Sequence, residues 1–574
     1  MQRWRLAAAA AIALGGVLAS PTTGRAVVSG VDATAETPVT RVIVRAEPAA
    51  LTAVGRASTR LGGDVVSTQP ALGTAVVDLP GGAVERLREV PGVLAVTPDL
   101  RVRLESTGVG PTAEPGDLTN IAALTGATTF WRNGYSGQGV DVALLDSGVL
   151  PVEGLTSGNK LVLGPDLSFE SQLPGLAHLD TFGHGTHLAG IIAGRDAGTS
   201  PSTYSSDNTH FLGIAPGARI VSLKLADAHG QTDVSQVIAA IDWVVQHAHD
   251  PGLNIRVLNL SFGTDSAQDY RLDPLAHAAE VAWNRGVVVV VSAGNGDGTK
   301  LGLSDPAYDP AVLAVGAQDT RGTADRSDDS VPVFSQRGAE LLGLRAPDLI
   351  APGVSVVSLR APGSFVDASY GATGWVGDRF FRGSGTSQSA AVVSGGAALL
   401  LSQRPGLNPD QVKDILRRSA KPIAGTSTDG QGAGALDLAA AYSVNGRTVA
   451  AAKVYAGGGS LTAARGRFTA SHNGVAVVGE QDIFGRAADT AALAAAEASA
   501  AAWAGGSYAG ATWAGGGWQG APADGATWTG ATWAGATWAG ATWAGSGWTG
   551  ATWADATWAG ATWANALWSS ASWR

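Results

Sequence analysis

Four stretches in the middle of the chain are predominantly apolar along their whole length rather than alternating: Gly139-Val-Asp-Val-Ala-Leu-Leu145, Arg219-Ile-Val-Ser-Leu-Lys224, Ile255-Arg-Val-Leu-Asn-Leu-Ser261 and Gly286-Val-Val-Val-Val-Val-Ser292. Strands of this kind are buried on both faces, as in a parallel sheet. Between the second and third, Val234, Val237, Ile238, Ile241, Val244 and Val245 follow helical spacing. Apolar strands separated by helices predict an α/β fold, a doubly wound, mostly parallel sheet over residues 117–442. Ligands bind such sheets at the carboxyl ends of the strands. Asp146 and Asn295 both lie just past strand ends. The domain closes with Asn408-Pro-Asp-Gln411, an N-cap followed by Pro at the first helical position.

The residues that carry chemistry fall in four islands. Asp146-Ser-Gly148 places a carboxylate at a strand end, where Asp is also a common turn former. Asp180-Thr-Phe-Gly-His-Gly-Thr-His-Leu-Ala-Gly190 holds two histidines three apart at a helix start, without the Glu that zincin chemistry needs. Its glycines let other groups approach His184, although a structural His pair has the same spacing. Ser292-Ala-Gly-Asn-Gly296 offers an amide on a Gly-rich loop, which an ordinary Asn-Gly turn also does. Phe381-Arg-Gly-Ser-Gly-Thr-Ser-Gln-Ser-Ala-Ala-Val-Val-Ser-Gly395 runs into an apolar helix, with Gly383 and Gly385 allowing a tight backbone before Ser387. That puts Ser387 at a helix N-terminus, where free N–H groups favour developing negative charge, or where a serine merely caps the helix. Taken together, the islands supply a nucleophile, a base, a carboxylate to orient the base and a donor for an oxyanion.

With these motifs in that order, the chain resembles the subtilisin-like serine proteases over residues 117–442. Asp146-Ser-Gly148, His184-Gly-Thr-His-Leu-Ala-Gly190 and Gly385-Thr-Ser-Gln-Ser-Ala390 match the family's Asp, His and Ser motifs, and Asn295 falls on its oxyanion asparagine. Gly213-Ile-Ala-Pro-Gly-Ala218, Ser261-Phe-Gly263 and Ala351-Pro-Gly353 are supporting matches. The resemblance implies a serine endopeptidase with Asp146, His184 and Ser387 as its triad and His187 as a structural neighbour. It also implies that a bound peptide pairs with Ser261, Phe262 and Gly263, which line the primary specificity pocket with Ala293 and Gly294. No cofactor is required for that chemistry; structural calcium is compatible with the family, but no ligands can be mapped. Gln388 and Ala391 depart from the family's Met and Pro. The longer interval from Gly353 to Gly385 reads as a hairpin or flap beside the cleft. The rival reading is an inactive, protease-like surface or glycan-binding protein.

Residues 1–26 have the cationic start, short apolar run and small residues of a signal peptide, which predicts export. Residues 40–104 read as β-α-β-β-α-β, a ferredoxin-like unit that resembles the family's inhibitory propeptide, and residues 105–116 as a linker. The chain has 574 residues, no cysteine and a net charge of −10. Disulfides and cysteine nucleophiles are therefore excluded, and a general nucleic-acid partner is disfavoured.

Residues 443–502 are Ala/Gly-rich and read as a connecting segment. From Trp503 to Trp573 the fifteen positions spaced five apart hold thirteen tryptophans, with Tyr508 and Ala523 as the exceptions. A period of five fits neither helix nor strand. It suits a β-solenoid with five-residue sides or a disordered aromatic tail, and a row of indoles suggests contact with glycans or a cell wall.

Overall fold

The computed structural model describes residues 39–69, 74–98, 116–171, 173, 176–472, 475–504, 507–508 and 511–512, with six three-residue strands between 532 and 564. The expected signal peptide and, apart from Gly116, the expected linker lie outside the described residues. The chain divides into two units, residues 1–101 and 102–574.

In the first unit, β1 (Val39–Ala46), α1 (Leu51–Arg60), β2 (Asp64–Gln69), β3 (Thr74–Pro80), α2 (Val84–Arg88) and β4 (Val93–Pro98) follow the expected order. Its strands form an antiparallel sheet in the order β2-β3-β1-β4. Alternate residues of β1 and β3, such as Val42, Val44, Val77 and Leu79, are buried with Val54 and Leu87 from the helices.

The second unit opens with α3 (Leu118–Thr125) and α4 (Ala127–Arg132). Its centre is a seven-stranded sheet of β5 (Asp141–Asp146), β6 (Leu161–Asp166), β7 (Arg219–Lys224), β8 (Ile255–Leu260), β9 (Val288–Ser292), β10 (Leu313–Gln318) and β11 (Leu349–Pro352). The order is β11-β10-β9-β8-β5-β7-β6, and every neighbouring pair is parallel. All five residues of β9 are buried, as a doubly covered strand requires. The chain winds from β5 towards β7 and β6, then crosses to β8 and continues to β11. The switch in direction therefore falls at β5, the strand that ends in Asp146.

Helices α5 (His184–Ala193) and α9 (Thr386–Gln403) pack together, as do α6 (Val234–His247) and α7 (Pro274–Asn284). The capping box of Asp233 with Gln236 starts α6, and Asn408 with Gln411 starts α10 (Pro409–Ser419). Helix α9 begins four residues earlier than its apolar run, so Ser387 is its second residue. The interval after Gly353 contains a hairpin, as one of the two expectations had it: β13 (Trp375–Val376) and β14 (Phe380–Gly383) pair antiparallel. With β12 (Val356–Leu359) they form a three-stranded sheet, and α8 (Phe365–Gly374) lies in the chain between β12 and β13.

Residues 443–502 do more than connect. Arg465, fully buried, pairs with the buried Asp233 (Nε–Oδ1 2.7 Å, Nη2–Oδ2 3.0 Å) at the start of α6. The indole N–H of Trp503 donates to Ala239 O at 2.8 Å, and the Tyr508 hydroxyl to Asp242 Oδ2 at 2.7 Å. The first two aromatic positions of the repeat thus pack into the core of the second unit. Further on, Thr532–Ala534, Thr537–Ala539 and Thr542–Ala544 pair in parallel with Thr552–Ala554, Thr557–Ala559 and Thr562–Ala564. Each repeat faces the repeat four further along. No helix among the described residues is long and apolar enough to cross a membrane.

Candidate active site

Asp146 is the last residue of β5 and His184 the first of α5, and the fold brings them into contact. His184 Nδ1 lies 2.9 Å from Asp146 Oδ1 and 3.0 Å from Oδ2. Burial of the ring opposes its protonation, but the charge and hydrogen bond of Asp146, with the charge of Asp180, outweigh it and raise the imidazole above its ordinary value. The ring is a quarter exposed, so one edge faces solvent.

The start of α5 is held by Asp180, which sequence reading passed over. Its Oδ1 accepts the Gly183 amide at 2.6 Å and the Ser147 hydroxyl at 2.7 Å, and its Oδ2 accepts the Thr186 amide at 2.7 Å. Ser147 Oγ in turn accepts the Gly185 amide at 3.0 Å. One buried carboxylate thus fixes the helix turn carrying His184 against the strand end carrying Asp146. An Asp just ahead of a helix start was the available signal. Gly183 sits at φ 107°, a left-handed backbone that glycine adopts without strain. Beneath the same turn, buried Lys224 pairs with Glu170 at 2.9 Å and donates to Ser147 O, Leu179 O and Thr181 Oγ1.

His187 is buried and turned away, with Nε2 3.1 Å from Phe381 O. Burial and the neighbouring His184 charge push it down to about 4, so it stays neutral while His184 titrates.

Ser387 is nearly buried in the first turn of α9, with no side-chain cap on that helix. Asn295 stands beside it: its Oδ1 accepts the Thr386 amide at 3.0 Å and the Thr386 hydroxyl at 3.2 Å. Thr386 Oγ1 also accepts the Gly294 amide at 3.3 Å. With the amide oxygen occupied, Asn295 Nδ2 is the half of the side chain left to donate to an oxyanion. Neither Gly383 nor Gly385 is left-handed, contrary to the tight turn expected of them. They are needed for close approach: a Cβ on Gly383 would stand 2.7 Å from Gln388 Nε2, and one on Gly385 2.9 Å from Gln388 Oε1. Gln388 is therefore a buried packing partner of both glycines.

Of the expected specificity residues, Ser261 Oγ lies 3.5 Å from Ser387 O, which ties the end of β8 to the start of α9. Phe262 meets Phe468 edge-on at 6.3 Å between ring centroids, so the 443–502 segment reaches this edge. Ala293 is fully buried, and Gly294, at φ 106°, is walled by Gln336 and Ser304, whose side chains bond at 2.6 Å. Neither residue was singled out from the sequence. Among the described residues no group of three or more His, Asp or Glu side chains is arranged for a metal ion, so calcium gains no candidate side-chain ligand set.

Comparison with known proteins matches this region. The Subtilase family matches residues 137–440. Serine protease AprX of Bacillus subtilis (strain 168) is 35% identical over 319 residues, covering 53% of this chain and 67% of its own. Subtilisin DY of Bacillus licheniformis is 30% identical over 312 residues, covering 54% and 93%. Fervidolysin from Fervidobacterium pennivorans, described as a keratinolytic enzyme related to subtilisin, aligns at 24% identity and a TM-score of 0.45, over 72% of this chain and 62% of that one. With its motifs on the strand ends of a parallel sheet and the family matched across that sheet, the chain belongs to the subtilase family and is a subtilisin-like serine endopeptidase.

Proposed function

We propose that Asp146, His184 and Ser387 form the triad of this endopeptidase, with Asn295 and the Ser387 amide as oxyanion donors. The observation that carries the reading is the contact of both Asp146 oxygens with His184 Nδ1, which presents Nε2 as the base. An extended peptide adds as a strand along Ser261–Gly263. Ser387 Oγ attacks the scissile carbonyl carbon while its proton passes to His184 Nε2. The carbonyl oxygen becomes an oxyanion and receives hydrogen bonds from Asn295 Nδ2 and the Ser387 N–H. The C–N bond then breaks as His184 gives its proton to the leaving amine. Water, deprotonated by His184, hydrolyses the acyl-enzyme and restores Ser387. No cofactor enters these steps.

We further propose that the first unit serves as an intramolecular inhibitor released by this activity, that residues 1–26 direct export, and that the tryptophan repeats hold the enzyme at a glycan or cell-wall surface. The family and the β-α-β-β-α-β order support the first. The strand pairing at an interval of four repeats supports a four-sided coil for the tail.

The test is Ser387→Ala in the full chain, with a fluorophosphonate as probe. Labelling confined to Ser387, loss of peptide hydrolysis and an unprocessed precursor are expected; hydrolysis surviving the substitution rejects the triad. Unchanged glycan binding after deletion of residues 513–574 rejects the anchor.

A further inference from the structure

Helix α8 places an aromatic side chain that no expectation assigned, Phe365, on the far side of the ring that neighbours His184. Phe365 stacks on Phe182 with ring centroids 6.0 Å apart and planes 13° from parallel. Phe182 lies 6.4 Å from the His184 ring, and His229 lies 5.8 Å from Phe365 on its other side. Phe365 remains 39% exposed. Large apolar rings left in the open beside a reactive group call for an apolar partner.

The platform is rigid. The amides of Phe365 and Val366 donate to Thr181 O and Phe182 O at 2.9 Å, joining α8 to the loop that delivers His184. A Cβ on Gly183 would stand 2.5 Å from Ser364 Oγ, so the two segments are in close contact. Behind them, Asp367 binds Arg360 and accepts the Trp375 indole N–H at 2.7 Å, and Arg360 lies over the Trp375 ring at 4.2 Å.

Strand order relates the platform to the path of a bound peptide. Asn295 follows β9, Ser261–Gly263 follow β8, Asp146 ends β5 and His229 lies beyond β7; in the sheet these strands run β9-β8-β5-β7. Side chains of an extended peptide alternate between its two sides. If the residue supplying the scissile carbonyl points towards the β9 side, the residue before it points towards β5 and β7. We infer that Phe365, with Phe182 beneath it, is a specificity-determining residue that selects a bulky apolar or aromatic side chain at the second substrate position on the acyl side of the scissile bond. This rests on the serine-protease reading above.

The test is a peptide matrix with the residue at the scissile bond fixed and the preceding residue varied among Phe, Leu and Ala. It is run with the parent enzyme, Phe365→Ala and Phe365→Leu. The parent is expected to favour Phe over Ala in kcat/KM, and Phe365→Ala to cut that ratio about tenfold, the discrimination one apolar contact supplies, chiefly through KM. Phe365→Leu, which keeps an apolar wall, is expected to restore most of it. A ratio unchanged in Phe365→Ala overturns the inference, as does an equal shift when the scissile-bond residue is varied instead. A parent that cleaves no peptide and takes no fluorophosphonate overturns the protease reading along with it.

Discussion

The side-chain oxygen of Asn295 accepts the backbone N–H of Thr386 at 3.0 Å, locking the loop after β9 to the first residue of α9. The bond orients the amide: with Oδ1 committed, only Nδ2 is left for a developing negative charge, and it is oriented before substrate arrives. Preorganised donors act on the transition state more than on the bound peptide. Asn295→Ala is therefore expected to lower kcat by about 10²–10³-fold with little change in KM, the loss typical of removing one oxyanion donor. Steady-state kinetics on one peptide checks this; an effect confined to KM would assign Asn295 to substrate binding.

The second prediction concerns pH. In the proposed triad His184 must be neutral to accept the Ser387 proton, so kcat/KM is expected to rise as the ring deprotonates. Because Asp146 and Asp180 more than offset the effect of burial, the acid limb is expected to have its midpoint above 6.5, the ordinary value for histidine. Asp146→Asn removes the largest stabilising influence and moves the midpoint down. It also lowers kcat by about 10⁴-fold, because the carboxylate no longer fixes the imidazole tautomer. His187, held far lower, adds no second step. A midpoint that stays put in Asp146→Asn counts against the pairing.

What could be read from the sequence was what is written locally. The Asn408 cap and the apolar runs of β5, β7, β8 and β9 are short-range signals, and each island surrounds its candidate residue with small residues. Strands β6, β10 and β11 carry weaker signals: β6 contains Gly164-Pro165, β10 is rich in Ala and Gly, and β11 has only four residues. The bond between Ser304 and Gln336 and that between Ser147 and Asp180 join segments distant in sequence, which no single window contains. The 443–502 segment lacks periodicity because it packs through isolated anchors such as Arg465, not through a continuous apolar face.

That anchoring leads to the third prediction. Arg465 and Asp233 are both buried, and Asp233 also caps α6 through the Ser235 amide and hydroxyl. Removing the arginine strands a carboxylate in the interior. Arg465→Ala is expected to destabilise the second unit by about 3–5 kcal/mol, the cost of breaking a buried pair from one side. Urea unfolding in a Ser387→Ala background, where self-digestion is prevented, measures it. A change of a few tenths of a kcal/mol would mean the segment is an appendage.

The last prediction follows from two carboxyl groups packed against each other. Asp242 on α6 and Glu497 of the C-terminal segment are both buried, with the Tyr508 hydroxyl on Asp242 and His277 Nε2 3.5 Å from Glu497. Burial lowers the His277 pKa, against the carbonyl oxygens of Tyr455 and Ala494 on its two ring nitrogens. Burial pushes Asp242 up to about 7, against the hydrogen bonds of Tyr508 and Glu497; burial and the nearby Asp242 raise Glu497 as well. The folded pair therefore holds protons that the unfolded chain, titrating near the ordinary carboxylate value of about 4, has released. The stabilisation is complete below about 4 and is lost as pH rises towards about 7, where the protons must leave a buried site. In the Ser387→Ala protein, the thermal midpoint is expected to fall across that window, with Trp503 and Tyr508 becoming exposed as the segment loosens. Asp242→Asn combined with Glu497→Gln removes both ionisable groups and should make the slope shallower. A slope unchanged in the double variant, or stability that rises through the window, would show that the pair does not hold the segment by sharing protons.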